Sequence, residues 1–149
     1  MENSSYEIID KMELPHTKVE LRSDHIIQFF YGDNIQYSMK EAQELEDVVI
    51  KISKGSVYMS LRIAGKYSDI DMDVMTYLSK GRGTLFTLAD AFVISSFSQK
   101  ILGNFYLRIN KPVQPTKFFN DIKEAEGWLK SLNMQELQQT HKIKTQHLV

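Results

Sequence analysis

The stretch from His25 to Ile63 contains the best helix of the chain, set between two β-rich runs. His25-Ile26-Ile27-Gln28-Phe29-Phe30-Tyr31 is a β-rich run closed by Gly32-Asp33-Asn34. Ser38-Met39-Lys40-Glu41 then has capping-box spacing: the hydroxyl can accept from the third helical N–H while the glutamate reaches back. Ala42, Leu45, Val48, Val49 and Ile52 recur at helical spacing, and Lys54-Gly55 supplies the stop. Val57 to Ile63 is a second short strand. A strand, a capped helix and another strand form the alternation from which α/β layer folds are built.

The rest of the chain extends that alternation. Residues up to Met12 show no sustained period and read as an N-terminal arm over 1–12, able at most to add an edge strand. Thr17 to Leu21 alternates, and Ser23-Asp24 joins it to the His25 run as an antiparallel hairpin. After the loop Ala64-Gly65-Lys66-Tyr67, Ser68 or Asp69 caps a helix carrying Ile70, Val74 and Leu78, which Gly81-Arg82-Gly83 breaks. Thr84 to Asp90 is ambiguous, compatible with one helical turn, and Ala91 to Ile94 is a buried strand. Ser96 or Ser98 caps a third helix with Ile101, Leu102, Phe105 and Ile109 inward, ending at Asn110-Lys111-Pro112. Lys117-Phe118-Phe119 is a strand, and Asn120 or Asp121 caps a fourth helix through Ile122, Ala125, Trp128, Leu129 and Leu132. The sequence therefore divides into the arm, an α/β domain over 13–132 and a flexible extension over 133–149.

Several function classes are excluded or disfavoured. With no cysteine among the 149 residues there is no disulfide, thiolate metal site or cysteine nucleophile. The net charge of −1 argues against broad electrostatic binding of nucleic acid or anionic membrane. The start is polar, without the apolar core of a signal peptide, and no run is long enough to span a membrane. A cytoplasmic protein is expected.

No catalytic, metal or cofactor signature stands out. Asp69-x-Asp71-x-Asp73 lacks the glycine and distal carboxylate of a calcium loop, because Val74 and Lys80 stand there. Gly81-Arg82-Gly83 follows a helix and has no Lys-Ser/Thr pair, so it is a breaker and not a phosphate cradle. His16, His25, His141 and His147 show no metal spacing. Lys100, Arg108, Lys111 and Lys117 give the third helix and the following loop a basic bias interleaved with Phe105, Tyr106, Phe118 and Phe119. This reads either as a rim for an anionic ligand or acidic partner, or as cations solvating a helix whose aromatics are core. In open α/β sheets ligands sit at the carboxyl ends of parallel strands. The candidate surface is therefore the loops 64–68 and 95–98 and the turn 110–116, with Lys66, Tyr67, Ser96, Ser98 and Lys111 on them and Lys100, Arg108 and Lys117 from the basic stretch beside them.

From Leu21 to Leu129, and above all through Ile101-Leu102-Gly103-Asn104-Phe105, Asn110-Lys111-Pro112, Pro115-Thr116-Lys117-Phe118-Phe119 and Glu124-Ala125, the chain resembles bacterial proteins related to the SpoIIAA/STAS domain, grouped with STAS/SEC14-type domains. The resemblance implies a mostly parallel sheet of four or five strands, an antiparallel N-terminal hairpin and helices mainly on one face. It also implies a non-enzymatic regulatory or protein-interaction module, with a homodimer as an open option. The alternative it allows is a binder of a small apolar or lipid-like ligand, held between the sheet and the helices bearing Val74, Leu78, Ile101 and Phe105. An enzyme with a spatially assembled site stands as a third reading. Relatives with a phosphoswitch carry Asp-Ser at a helix start; here the order is inverted as Ser68-Asp69. Ser68 is accordingly either a helix N-cap or, against the repulsion of Asp69, Asp71 and Asp73, a phosphorylation site.

Overall fold

The computed structural model describes residues 5–78, 80–109, 112 and 114–146. Its elements are β1 (Ile8–Glu13), β2 (Thr17–Arg22), β3 (Ile26–Tyr31), β4 (Gln36–Tyr37), α1 (Met39–Ser53), β5 (Tyr58–Ile63), β6 (Asp69–Ile70), α2 (Met72–Leu78), a 3-10 turn (Arg82–Phe86), β7 (Thr87–Val93), α3 (Phe97–Ile109), β8 (Thr116–Phe119), α4 (Ile122–Ser131) and α5 (Met134–Thr145). The main sheet has six strands in the order β1-β2-β3-β5-β7-β8, and β4 and β6 form a two-stranded parallel ladder beside it. β1, β2 and β3 are antiparallel; β3, β5, β7 and β8 run parallel.

That order explains where the helices lie. From β3 onward each strand is laid down beside the one before it, always in the same direction. Crossovers of one hand in one direction bring their helices to the same face of the sheet. Helix α1 packs Leu45, Val48, Val49 and Ile52 against Val19, Leu21, Ile27 and Phe29 on that face. After β8 no crossover is required, and α4 folds back under the opposite face, placing Ala125 and Leu129 against Ile26, Met59, Leu61, Ala89 and Ala91.

Local signals placed α1 and α4 well. Glu41 accepts from the Ser38 N–H at 2.9 Å and also from its hydroxyl. Lys54 (φ 50°) and Gly55 (φ 84°) end α1 in the left-handed region. Asp121 caps α4, accepting from the Lys123 N–H at 3.2 Å.

Four expectations need correction. The sheet has six strands where four or five were expected, because the N-terminal arm takes the edge-strand option and pairs with β2 from Ile8 to Glu13. The expected flexible extension contains α5, because Asn133 caps it and Met134 and Leu137 pack against the α4 core. The strand expected from Ala91 begins at Thr87, directly after the 3-10 turn. Neither Ser68 nor Asp69 starts a helix: Asp69 pairs in β6, and α2 begins at Met72 with the Met75 N–H donating to the Asp71 carbonyl at 3.0 Å.

Candidate functional site

Helices α1, α2 and α3 do not close down completely on the sheet. Beneath them lies a cavity of about 190 Å³ whose walls include Leu45, Val49, Ile70, Met75, Leu102 and Phe118. Ala64 and Gly65 after β5 and Ile94 after β7 line it too, so it reaches the carboxyl ends of the parallel strands. Two close approaches shape it. A Cβ on Gly65 would stand 2.0 Å from the Gly32 carbonyl oxygen, so only glycine lets these loops cross. A Cβ on Gly103 would stand 2.7 Å from the Phe118 ring, so α3 rests on β8 through its glycine.

The floor is charged. Arg62 on β5 and Asp90 on β7 are register partners of Phe92 and Ser60, their side chains directed to the cavity side of the sheet. Arg62 Nε donates to Asp90 Oδ1 at 2.7 Å and Nη1 donates to the Tyr31 hydroxyl at 2.9 Å. Its guanidinium carbon lies 4.4 Å from the centre of the Phe29 ring. Burial opposes its charge, but Tyr31 and Asp90 more than offset this and hold it above its ordinary value. Asp90 Oδ2 accepts from Gln114 Nε2, while Gln114 Oε1 is buried with no partner among the described residues. Tyr106 also lines the cavity; burial first, and then the Asp90 charge, pushes its pKa up.

A second acid reaches the cavity from α1. Glu46 Oε1 accepts from the Tyr77 hydroxyl at 2.8 Å and from Arg82 Nε at 3.2 Å. Its Oε2 is buried and has no partner among the described residues. A Cβ on Gly81 would stand 2.3 Å from that oxygen. The glycines around Arg82 thus make room for a carboxylate of the chain itself. The cavity is thus lined by one compensated ion pair and by two residues, Glu46 and Gln114, that each keep a buried oxygen without a hydrogen-bond partner among the described residues.

The candidate residues from the sequence fall into separate groups. Ser68 stands between loops: its hydroxyl donates to the Gly32 carbonyl and accepts from the Ile35 N–H at 3.0 Å. It lines the cavity, away from any helix start. Ser96 caps α3, accepting from the Gln99 N–H at 3.2 Å, and Ser98 lies 3.2 Å from it. Gln99 Nε2 donates to the Gly65 and Ser68 carbonyls, which ties the Lys66-Tyr67 loop to the first turn of α3. Lys100 and Arg108 lie exposed on α3. Lys117 does not join them: it sits on the other sheet face, its ammonium 5.4 Å from the Phe119 ring centre. Asn110, Lys111 and His147 lie outside the described residues. The inward face of α3 is also shifted from expectation. Leu102, Gly103 and Tyr106 line the cavity, whereas Ile101 and Phe105 face solvent; of the four residues expected at an apolar cavity only Leu78 lines it.

The histidines and aspartates have structural partners. His16 Nδ1 lies 2.8 Å from Thr17 Oγ1 and Nε2 lies 3.2 Å from Glu44 Oε2, which copies the order of a carboxylate–histidine–hydroxyl triad. Thr17 is buried, however, and its hydroxyl is shared with the Tyr37 hydroxyl at 2.7 Å, so it presents no nucleophile to the cavity. Tyr37 also donates to the His16 carbonyl at 2.6 Å, and burial pushes its pKa up to about 12. His141 binds the Thr84 carbonyl at 2.9 Å. Asp69 accepts from the Ile70 N–H and Asp71 from Gln36, and no three His, Asp or Glu converge as metal ligands among the described residues.

Arg62, Asp90, Glu46 and Gln114 went unnoticed in the sequence. The available signal was a charge inside a β run: Arg62 in Leu61-Arg62-Ile63 and Asp90 in Ala89-Asp90-Ala91. A charge in a strand covered on both faces calls for a buried partner.

Among known proteins, no curated one matches this chain. The solved structure of an uncharacterized DUF3478-family protein from Shewanella loihica PV-4, described as having a SpoIIAA-like fold, is similar at 12% identity and a TM-score of 0.48, covering 87% of this chain and 98% of that one. A protein with unknown function from Arthrobacter sp. FB24 is similar at 22% identity and a TM-score of 0.26, covering 76% of this chain and 99% of that one. Neither likeness bears on chemistry. No helix among the described residues is long and apolar enough to cross a membrane. Residues 19–133 match the profile of DUF7793, a domain of unknown function, and the chain belongs to that family.

Proposed function

We propose that this domain is a non-catalytic module that holds a small molecule with an apolar body and a hydrogen-bond donor beneath α1, α2 and α3. The observation that carries the reading is the cavity itself: apolar walls, a self-compensated Arg62–Asp90 floor and two buried acceptors without partners. Apolar surroundings with a few convergent polar groups are the usual composition of a ligand site. An unsatisfied buried acceptor is costly until a donor reaches it. Size narrows the ligand: an engineered cavity of about 150 Å³ takes benzene, so 190 Å³ suits a substituted ring or a short chain. A two-chain lipid is several times too large.

The same geometry supports a regulatory reading. α3 lines the cavity with one face and shows the other to solvent. Occupancy is then felt on a surface that a partner can read.

Toluene and benzylamine are the test probes, followed by amide shifts in NMR. Both should perturb amides around Leu45, Ile70 and Leu102, with benzylamine binding more tightly. Glu46→Gln should weaken that preference for the amine. Saturating amounts of both probes that leave those amides unmoved would refute the proposal.

A further inference from the structure

Helix α3 is apolar on its outer side as well as its inner one. Phe97 is 77% exposed, Ile101 55% and Phe105 47%, and the three recur every four residues. At 100° per residue, Phe97, Arg108, Ile101 and Phe105 fall within an arc of about 80°. Lys100 flanks that arc. The loop tied to the first turn of α3 by Gln99 adds Lys66 and Tyr67, the latter 85% exposed. Lys100 and Arg108 are the cations of α3, and the sequence between Asp90 and Asp121 contains no acid. In a chain of net charge −1, the acid excess is carried elsewhere.

We propose that the outer face of α3, with the Lys66-Tyr67 loop, docks on an anionic phospholipid surface. Exposed aromatic and aliphatic side chains with cations along the same helix describe a helix lying in the interface plane. Tyr67, beside the helix, has the amphipathic ring favoured at headgroup depth. The charge pattern selects among occupants. A symmetric contact between two copies would set this patch against itself. Arg108 and Lys100 would then meet apolar groups, the neutral Asn104 and Ser98 or each other, with no acid from α3 to pair them. The occupant must bring negative charge directly beside an apolar layer, because Arg108 falls within the same arc as the phenylalanines. The headgroup–acyl boundary of an anionic bilayer has that composition. The acids beside that loop have backbone partners: Asp33 accepts from the Lys66 N–H and Asp69 from the Ile70 N–H, both at 2.8 Å. The observations are independent of the cavity and of anything it binds.

The test is flotation of the full chain with phosphatidylglycerol vesicles and with phosphatidylcholine vesicles, beside sedimentation velocity without lipid. Binding to the anionic vesicles should be at least about tenfold tighter than to the neutral ones and should weaken in high salt, as expected for a few basic side chains at a charged surface. Phe97→Ser/Phe105→Ser and Lys100→Glu/Arg108→Glu should each abolish flotation while keeping the wild-type circular dichroism and unfolding midpoint. Equal recovery with neutral and anionic vesicles, or flotation unchanged in both variants, overturns the proposal. So does absence of flotation; if a dimer then dissolves in Phe97→Ser/Phe105→Ser, the face belongs to a second copy. If instead an acidic protein is retained through Lys100 and Arg108 without lipid binding, the face belongs to a protein partner.

Discussion

Replacing Asp90 by alanine tests the cavity floor directly. Asp90 is almost fully buried and accepts from Arg62 Nε at 2.7 Å and from Gln114 Nε2. Its removal leaves Arg62 with the Tyr31 hydroxyl alone. Breaking a buried ion pair by deleting one partner costs about 3–5 kcal/mol, because the remaining charge stays desolvated. Arg62 keeps 19% of its side chain open toward the cavity, which moves the expectation to about 3 kcal/mol. With a urea slope of about 1.5 kcal/mol per molar, the midpoint should fall by roughly 2 M at unchanged slope. The assay is equilibrium urea unfolding followed by Trp128 fluorescence. Arg62→Met/Asp90→Leu should recover most of the loss, since apolar groups of similar volume can replace a buried pair at little cost. A loss below about 1 kcal/mol for Asp90→Ala, or a double variant no more stable than the single one, would show that the pair is not effectively buried.

Gly65→Ala should lose about 2–3 kcal/mol in the same urea assay, because its Cβ meets the Gly32 backbone at 2.0 Å. Gly127→Ala, with nothing within 4 Å in mid-α4, should gain about 0.5–1 kcal/mol. Glu41 is held below the usual carboxylate range chiefly by the Ser38 hydroxyl. A depressed folded-state pKa stabilises above the unfolded value and is lost as pH falls through the folded one, so the Tm gap between wild type and Glu41→Gln should be largest near neutrality and close in acid. Burial raises Tyr37 from 10.0 to about 12. Its contribution is complete below pH 10 and lost as pH rises toward 12, so alkaline unfolding should coincide with the appearance of tyrosinate absorbance and shift in Tyr37→Phe.

The fold was legible where one local signal had one meaning. The Ser38 box, the Lys54-Gly55 stop and the Asp121 cap each matched a backbone need, and the alternation of strands and helices followed from them. The phase of α3 was not legible, because apolar residues occupy both of its faces and periodicity cannot choose between them. Gly103 held the answer: only the glycine face can approach Phe118 so closely. The short β4–β6 ladder escaped because two residues per strand leave no period to read, and α5 escaped because its apolar stripe is little more than Met134 and Leu137. The site was hidden for a different reason. Arg62, Asp90, Glu46 and Gln114 come from four distant segments, and only the sheet register and the one-directional winding bring them together.

Arg22 and Arg62 show how a structural charge differs from one placed for binding. Arg22 lies on the face opposite the cavity, its side chain fully covered and under the Tyr6 ring at 3.5 Å. It donates twice to Asp24, at 2.9 and 2.6 Å, once to Glu126 at 2.7 Å and once to Gln28 at 3.2 Å. A guanidinium has five N–H donors, so Arg22 is close to saturated and pins β2 to α4. Arg62 uses only Nε and Nη1, and its second terminal nitrogen makes no hydrogen bond among the described residues. Saturation predicts opposite consequences. Arg22→Met should cost about 3 kcal/mol, the low end for a broken buried pair, because Asp24 and Glu126 keep some access to water. It should leave the benzylamine affinity unchanged. Arg62→Met/Asp90→Leu should stay near wild-type stability and change that affinity, because it rebuilds the cavity floor. If Arg22→Met shifts probe binding as much as the floor variant does, the cavity does not respond to its own lining and the assignment of the site is wrong.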